Sequence, residues 1–403
     1  MAPDAPLYID TDGALQAWAD RLAEATVIAV DTESDSFHRY REKVCLIQMT
    51  ALGQDVIIDP LALSTLKPLE PLLTDPGRIK IFHDACYDLI CLQRDFGFRL
   101  RGLFDTMLAS RLLGYRQFGL ASILKMRFDF EADKRLQRSD WAQRPLSDDQ
   151  LAYARFDTHF LPRLMDELTF ELDAAGRLTW AREDFERLPE VCVRAVRAEP
   201  GPDPNGFWRV QGARTLNPAA KGRLQQLYMA RERIAERLDR PPFKVFGDWV
   251  LLELAKHPPD DVGDLRPRPG LRRAGIDKFG PELMAALSRA EPIKTGPPPG
   301  SGRRRRAGRL LDPDARDRYE ALRDLRRTKA EGLGLEPEVA LGNALLEDLA
   351  RRPPNGLGEL HERPELKGWR GPRFVYDLFH VLTNPVPRAK GEPEAPEDSG
   401  AVA

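Results

Sequence analysis

The chain has 403 residues and a mass of 45.5 kDa, with 61 Lys and Arg against 63 Asp and Glu, 42% hydrophobic residues and 31% charged ones. That composition fits a cored globular chain of roughly two or three domains and excludes a polybasic nucleic-acid tail protein. No window approaches the roughly 18 consecutive apolar residues of a membrane span. The N-terminus MAPDAPLYIDTDG lacks the apolar run of a signal peptide, and Cys45, Cys86, Cys91 and Cys192 have neither CxxC spacing nor the density of a disulfide framework, so a reducing, cytoplasmic home is expected.

The first predicted element is VIAVDTES at 27–34, an apolar run ending in acids. VCLIQMT and DVIIDP follow after short turns and complete a three-strand meander. Leu66 to Leu73 reads as a short helix stopped by Asp75-Pro76-Gly77. IKIFHDA is a fourth strand running into a helical stretch from Tyr87 to Phe96, and LFDT at 103–106 is a fifth, short strand. From Met107 to Leu172 the periodicity is mostly helical, with Pro162 expected to kink or end the helix that carries Tyr153 and Asp157. Strands interleaved with helices predict an α/β layer domain.

The second half reads as all-helical. Leu224, Leu227, Tyr228, Ile234, Ala235 and Leu238 share one helix face, Pro241-Pro242 stops that helix, and shorter helices span Trp249–Ala255 and Gly280–Ala290. KTGPPPGSGRRRRAG at 294–308 is a linker, Asp312 to Leu382 is helical again, and 384–403 is Pro- and Glu-rich, predicting disorder. LAKHPP at 254–259 and LARRPP at 349–354 mark a weak internal repeat. The expected division is 1–175, 176–210 (connection), 211–293, 294–310 (linker), 311–383 and 384–403 (tail). Net charge is −8 over 1–200, +11 over 201–330 and −5 over 331–403. Acids in the first segment suit metal ions and bases in the second suit a polyanion, although solvated helix faces give the same pattern.

Asp31 and Glu33 stand at i and i+2 at the end of an apolar strand, so both carboxylates leave the same face. Two adjacent anions are costly without a cation between them. Asp88 falls in the first turn of the next helix, and Tyr153 and Asp157, four apart, share a helix face. Singly, each also fits an ordinary role: a turn acid, a helix-dipole acid, a surface pair. In this order, VDTES, HDACYDL and YARFD resemble the three motifs of the DEDD 3′–5′ exonuclease superfamily, in its Tyr-containing branch. LQRSDWAQRPLSDDQLAYARFDTHFL is similar to the ribonuclease D family. The helical blocks resemble the HRDC domains of that family, the first through LQQLYMARERIAERLDRPPFKVFGDWVLLELAKHPP. The second resembles them mainly through LKGWRG at 366–371 and is otherwise degenerate.

The resemblance implies an α/β RNase H-like exonuclease domain, with a mixed five-stranded sheet and flanking helices, followed by two all-α HRDC-like domains. It implies a metal-dependent 3′–5′ exoribonuclease that trims tRNA precursors or other structured RNA 3′ ends and releases nucleoside 5′-monophosphates; the oligomeric state stays open, with a monomer favoured. Asp31, Glu33, Asp88 and Asp157 would hold two divalent ions, Mg²⁺ or Mn²⁺, which serve to activate water and to stabilise the leaving 3′-oxygen. Tyr153, a phenol with a reference pKa of about 10, would orient the attacking water. The alternatives are a 3′–5′ DNA exonuclease of the same superfamily and a non-catalytic RNA-binding scaffold. A helicase is excluded by the lack of a GxxxxGK[ST] loop.

Other residues carry double readings. Asp105 matches the family pattern and equally reads as an N-cap. His83 and His159 read as structural. Trp141 and Arg144 fit either a nucleotide site or the core. His38, Arg39 and Tyr40 form a basic, aromatic loop suited to RNA, as are Arg231 in the first helical block and Arg303 and Arg304 in the linker.

Overall fold

In the computed structural model, residues 5–132, 135–193, 202–265, 270, 273–298 and 312–384 are described. The chain divides into two compact units, residues 1–305 and 306–403.

The first unit is built on a six-stranded sheet. Its strands are β1 (Leu7–Ile9), β2 (Val27–Ser34), β3 (Val44–Ala51), β4 (Gln54–Ile58), β5 (Ile79–Phe82) and β6 (Leu103–Asp105), in the order β1-β4-β3-β2-β5-β6. The β2–β3–β4 meander is antiparallel and the remaining pairings are parallel. The sheet is therefore mixed, as expected, but has six strands and not five. The extra strand, β1, is three residues long and pairs Leu7 with Val56 through Ile9 with Ile58. Three residues are too few to show a period of two.

Among the described residues, twelve α-helices belong with this sheet or follow it in the first unit, and α1 (Asp12–Leu22) comes first. The sequence reading passed over α1, although Thr11 caps it and Leu15, Trp18, Ala19 and Leu22 give it a buried stripe. It is followed by α2 (Glu70–Thr74), α3 (Cys86–Phe96), α4 (Thr106–Leu112), α5 (Leu120–Phe128), α6 (Asp148–His159), α7 (Leu161–Ala174) and α8 (Leu178–Val193). Ile28, Val30, Ile47 and Met49 bury one sheet face against α1 and α3, whereas Leu46 and Ile57 bury the other with Trp141 and Ala154 of α6. The alternation of β2 thus assigns Asp31 and Glu33 to the α6 face. Pro162 acts as expected: α6 ends at His159, and Pro162 occupies the first turn of α7, where its missing N–H costs nothing.

Cys86 and Cys192 form a disulfide, with Cα atoms 5.1 Å apart and a sequence separation of 106. One bond is no disulfide framework, but it departs from the reducing surroundings expected from the cysteine spacing. The pairing is invisible in the sequence because only the return of α8 against α3 brings the two together.

The first unit continues with α9 (Pro218–Leu238), α10 (Pro242–Val245), α11 (Asp248–Lys256) and α12 (Arg273–Ser288). Helix α12 starts before the expected Gly280. It runs through Pro281 because Ile276, Phe279 and Leu283 keep one face buried, which offsets the one hydrogen bond that proline removes. The second unit contains α13 (Pro313–Gly332), α14 (Pro337–Ala340), α15 (Asn343–Arg351), α16 (Leu357–His361) and α17 (Gly371–Thr383).

The internal repeat extends to individual hydrogen bonds. Arg231 of α9 donates to the Phe246 carbonyl at 3.0 Å and to Asp248 at 2.7 Å; Arg326 of α13 donates to the Leu341 carbonyl at 3.0 Å and to Asn343 at 2.7 Å. Arg223 and Arg318 likewise donate to the Ala255 and Ala350 carbonyls, each at 2.7 Å. The linker arginines Arg303 and Arg304 and the tail from residue 385 lie outside the described residues.

Candidate active site

Asp31 and Glu33 sit on β2, the strand next to the sheet centre, with Asp31 opposite Gln48 and Glu33 opposite Leu46. The register shifts between Glu33 and Ser34, so pairing loosens just where the carboxylates emerge. Helix α6 supplies Tyr153 and Asp157. Its start is fixed by Ser147 and Gln150, which form a reciprocal capping box. Its body is fastened to the sheet by a buried polar network. Arg155 donates to Asp55 at 2.5 Å, the Thr158 and Thr50 hydroxyls bond at 2.8 Å, and His159 Nδ1 bonds Asp55 at 2.8 Å. His159 therefore serves the framework, as its place off the active face predicts.

Asp88 approaches from the opposite side. The turn from β5 into α3 places Asp84 in the left-handed region, at φ 68°. Asp105 secures that turn: its carboxylate accepts from the amides of Ala85 at 2.8 Å and Asp84 at 3.4 Å, while also capping α4 through Leu108 at 2.8 Å. Asp105 is thus an N-cap that doubles as a brace. Thr32, between the two β2 acids, donates to Asp88 Oδ1 at 2.6 Å. The sequence reading did not single out Thr32; its place between two acids that need a neighbour was the available signal. His83 bonds Thr106 through Nδ1 at 2.8 Å, and burial pushes its pKa down to about 4, which keeps it neutral and structural.

The resulting geometry is an anionic cluster. Ligand oxygens of Asp31, Glu33 and Asp157 lie within 4.8 Å of one another. Asp88 stands one step away and still raises the pKa of Glu33 and Asp157 through its charge. Burial, and then the neighbouring acids, hold the Asp31, Glu33 and Asp88 carboxyls well above the usual range. Burial, followed by the Asp88 charge, lifts Asp157 to about 7. Four acids that cannot all ionise beside one another form a poor structural motif and a good cation cradle. The donors are all hard oxygens, which suits Mg²⁺ or Mn²⁺ and not a thiolate-seeking metal.

Two cavities flank α6 at Tyr153 and Asp157. One, of about 630 Å³, is bounded by Asp31, Glu33, Ser34, Phe37, Tyr87 and Arg138 among others. The other, of about 790 Å³, is bounded by His83, Phe130, Arg135 and Phe156 among others. A polymer chain crossing the acids has room on both sides.

The expected RNA contacts fare differently from the acids. Trp141 is 1% exposed and stacks near Tyr153, with ring centroids 5.8 Å apart. Arg144 donates to Asp59 at 2.5 and 2.7 Å and to the Cys45 carbonyl at 2.9 Å. Both therefore support the α6 face from within. Arg231 is 4% exposed and belongs to the repeated scaffold described above, so burial corrects its reading as a phosphate contact. His38 bonds the Arg138 carbonyl at 3.2 Å, tying its loop to the loop before α6. Arg39 and Tyr40 are tied to α9: Arg39 pairs with Asp239 at 3.0 Å, and the Tyr40 hydroxyl donates to Glu232 at 3.2 Å.

Residues 6–173 match the family model described as 3′–5′ exonuclease, and 220–287 and 315–379 each match that of the HRDC domain. The second match places the second helical block, like the first, among HRDC domains. The chain is 31% identical to ribonuclease D of Gluconacetobacter diazotrophicus, over 91% of this chain and 90% of that protein. It is also 31% identical to ribonuclease D of Jannaschia sp., over 96% of this chain and 98% of that protein. Its fold is similar to the crystal structure of Escherichia coli RNase D, described as an exoribonuclease involved in structured RNA processing. The TM-score is 0.71 at 26% identity, covering 94% of this chain and 99% of that one.

Proposed function

The chain belongs to the ribonuclease D family and is a 3′–5′ exoribonuclease, and from that premise we propose that Asp31, Glu33, Asp88 and Asp157 hold two divalent ions, Mg²⁺ or Mn²⁺, over the terminal phosphodiester of an RNA 3′ end. The observation that carries this reading is the convergence of the Asp31, Glu33 and Asp157 carboxylates with Tyr153 at the wall shared by two cavities. Bound there, the ions supply charge neutralisation, activation of water and stabilisation of the leaving oxygen. This pathway, and not DNA exonucleolysis or idle scaffolding, accords with the family's ribonucleases.

The protein's own groups do the rest. Asp31 and Glu33 project from one strand and fix the spacing of the ligands. Thr32 aims the Asp88 carboxylate. Tyr153, one helical turn before Asp157, directs its hydroxyl to the attacking water and aligns it with the phosphorus. As the water oxygen bonds to phosphorus, the bond from phosphorus to the 3′-oxygen breaks. The released nucleoside keeps the phosphate on its 5′-oxygen. A phenol with a reference pKa near about 10 orients and does not deprotonate at neutral pH. We assign structured RNAs as substrates, by likeness to the E. coli protein, with tRNA precursors as the candidates that the sequence resemblance suggests and a monomer acting in the cytoplasm.

The test is a timed digestion of a 5′-labelled, 3′-extended tRNA precursor with Mg²⁺, with Mn²⁺ and with chelator, beside Asp31→Ala. A metal-dependent ladder receding from the 3′ end, lost in the variant, supports the assignment. Tight binding without shortening under any metal refutes it.

A further inference from the structure

Three large aromatic side chains stand exposed in sequence around one seam. Phe37 is 42% exposed, Tyr87 43% and Phe243 55%. Phe37 and Tyr87 bound the same cavity as Asp31 and Glu33. Phe243 comes from α10 of the first HRDC block, and its ring meets Phe37 edge-on, with centroids 6.4 Å apart. The guanidinium of Arg138, itself exposed, lies over the Phe37 ring at 5.5 Å.

The surroundings hold these rings in place. The Tyr87 hydroxyl bonds Ser34 and Glu42, each at 2.7 Å, which fixes the plane of its ring beside the acids. Phe243 is set by a clasp between the loop after β2 and the end of α9. Arg39 pairs with Asp239 at 3.0 Å, Arg41 with Glu236 at 2.6 Å, and the Tyr40 amide donates to Asp239 at 3.2 Å. The clasp occupies Arg39, which the sequence offers to RNA phosphates, together with Arg41. The seam presents aromatic surface and Arg138 to a ligand.

We propose that the first HRDC block completes the substrate track, so that unpaired bases upstream of the scissile linkage stack along Tyr87, Phe37 and Phe243, with Arg138 holding a phosphate between them. The occupant is the single-stranded 3′ extension of an RNA. It is selected by continuity of these rings with the acid-lined cavity and by the exposed guanidinium of Arg138 over the Phe37 ring. Base-on-aromatic stacking tolerates any sequence, which suits a trimming enzyme. Because Arg39 and Arg41 pair with Asp239 and Glu236, grip on the extension depends less on salt than two unpaired arginines would make it. The inference rests on the exonuclease assignment above.

The experiment compares steady-state cleavage of a dinucleotide, which has one base upstream of its linkage, with that of an oligoadenylate of about ten nucleotides, within the range of known single-strand sites. The full chain is used with Mg²⁺ or Mn²⁺, as wild type, Phe243→Ala, Phe243→Leu and Phe243→Trp. For Phe243→Ala, KM on the longer RNA is expected to rise about five- to a hundredfold, the range for loss of one stacked base, with kcat unchanged. KM on the dinucleotide stays the same. Phe243→Trp restores the longer RNA and Phe243→Leu, equally apolar, does not. Equal KM for all variants, full function of Phe243→Leu, or a loss shared by both substrates overturns the track. Absence of cleavage of either RNA by wild type overturns the underlying exonuclease assignment instead, and the track with it.

Discussion

Asp157→Asn separates what the acid cluster costs the fold from what it contributes to function. In the metal-free protein, burial and then the Asp88 charge lift the Asp157 carboxyl from its ordinary 3.8 to about 7. Below 3.8 both folded and unfolded chains hold the proton, so the residue is neutral in the balance. As pH rises above 3.8 the unfolded chain releases its proton while the folded chain keeps it, so stability falls until the pH passes about 7. That span corresponds to a penalty of at most about 4 kcal/mol. Asparagine stands in for the protonated acid and escapes the charging penalty, so the expected gain in alkali is on the order of 1–4 kcal/mol. Urea unfolding of the intact chain in chelator at acid and alkaline pH, and again with Mg²⁺ or Mn²⁺, reads these effects. The variant should match wild type in acid and exceed it in alkali, should gain little from metal, and should not digest RNA. Equal destabilisation at both pH values, or equal stabilisation of both proteins by metal, would refute the reasoning.

Other outcomes follow from the same geometry. Tyr153→Phe should lower kcat on the order of 10²-fold by removing one water-orienting donor, while Asp31→Ala should fall to background; equal losses in single-turnover assays would give Tyr153 a larger role. Reduction of the Cys86–Cys192 bond, or Cys192→Ser, should lower stability by up to about 5 kcal/mol, as the loop of about a hundred residues is freed in the unfolded chain. Wild type should therefore melt lower in dithiothreitol and the variant should not respond, and a wild type indifferent to reductant would show that the bond does not form in solution. Arg144→Ala should cost about 3–5 kcal/mol, because it strands the buried Asp59 carboxylate. Its urea midpoint should drop while RNA affinity at low temperature holds; a selective loss of affinity would return Arg144 to the nucleotide site.

The parts of the site written in local chemistry were legible from the sequence. The i, i+2 acids of β2, the first-turn Asp88 and the i, i+4 pair Tyr153 and Asp157 each obey a period that a chain displays without folding. The break at Pro162 and the N-cap role of Asp105 were readable for the same reason. What was not legible depends on distant partners. Nothing near Cys86 points to Cys192, and Arg39 and Arg144 look like free cations until Asp239 and Asp59 arrive from elsewhere in the chain. A basic residue in a sequence announces charge but not whether the fold has already neutralised it. Strand β1 was missed for a simpler reason: three residues cannot display a pattern.

The matched arginine anchors in the two HRDC blocks bear on how variant screens of this protein would read. Arg231 and Arg326 sit on long basic helices, where a survey of charge substitutions would seek RNA contacts. Each is 4% exposed and tethers its own helix to the next one. Losing either would lower apparent RNA affinity by loosening a domain, and would score as a binding defect in any assay that does not track soluble yield. The duplication supplies its own control. A substitution that damages both positions alike marks the shared interior, whereas a true substrate contact in the first block has no reason to be mirrored in the second.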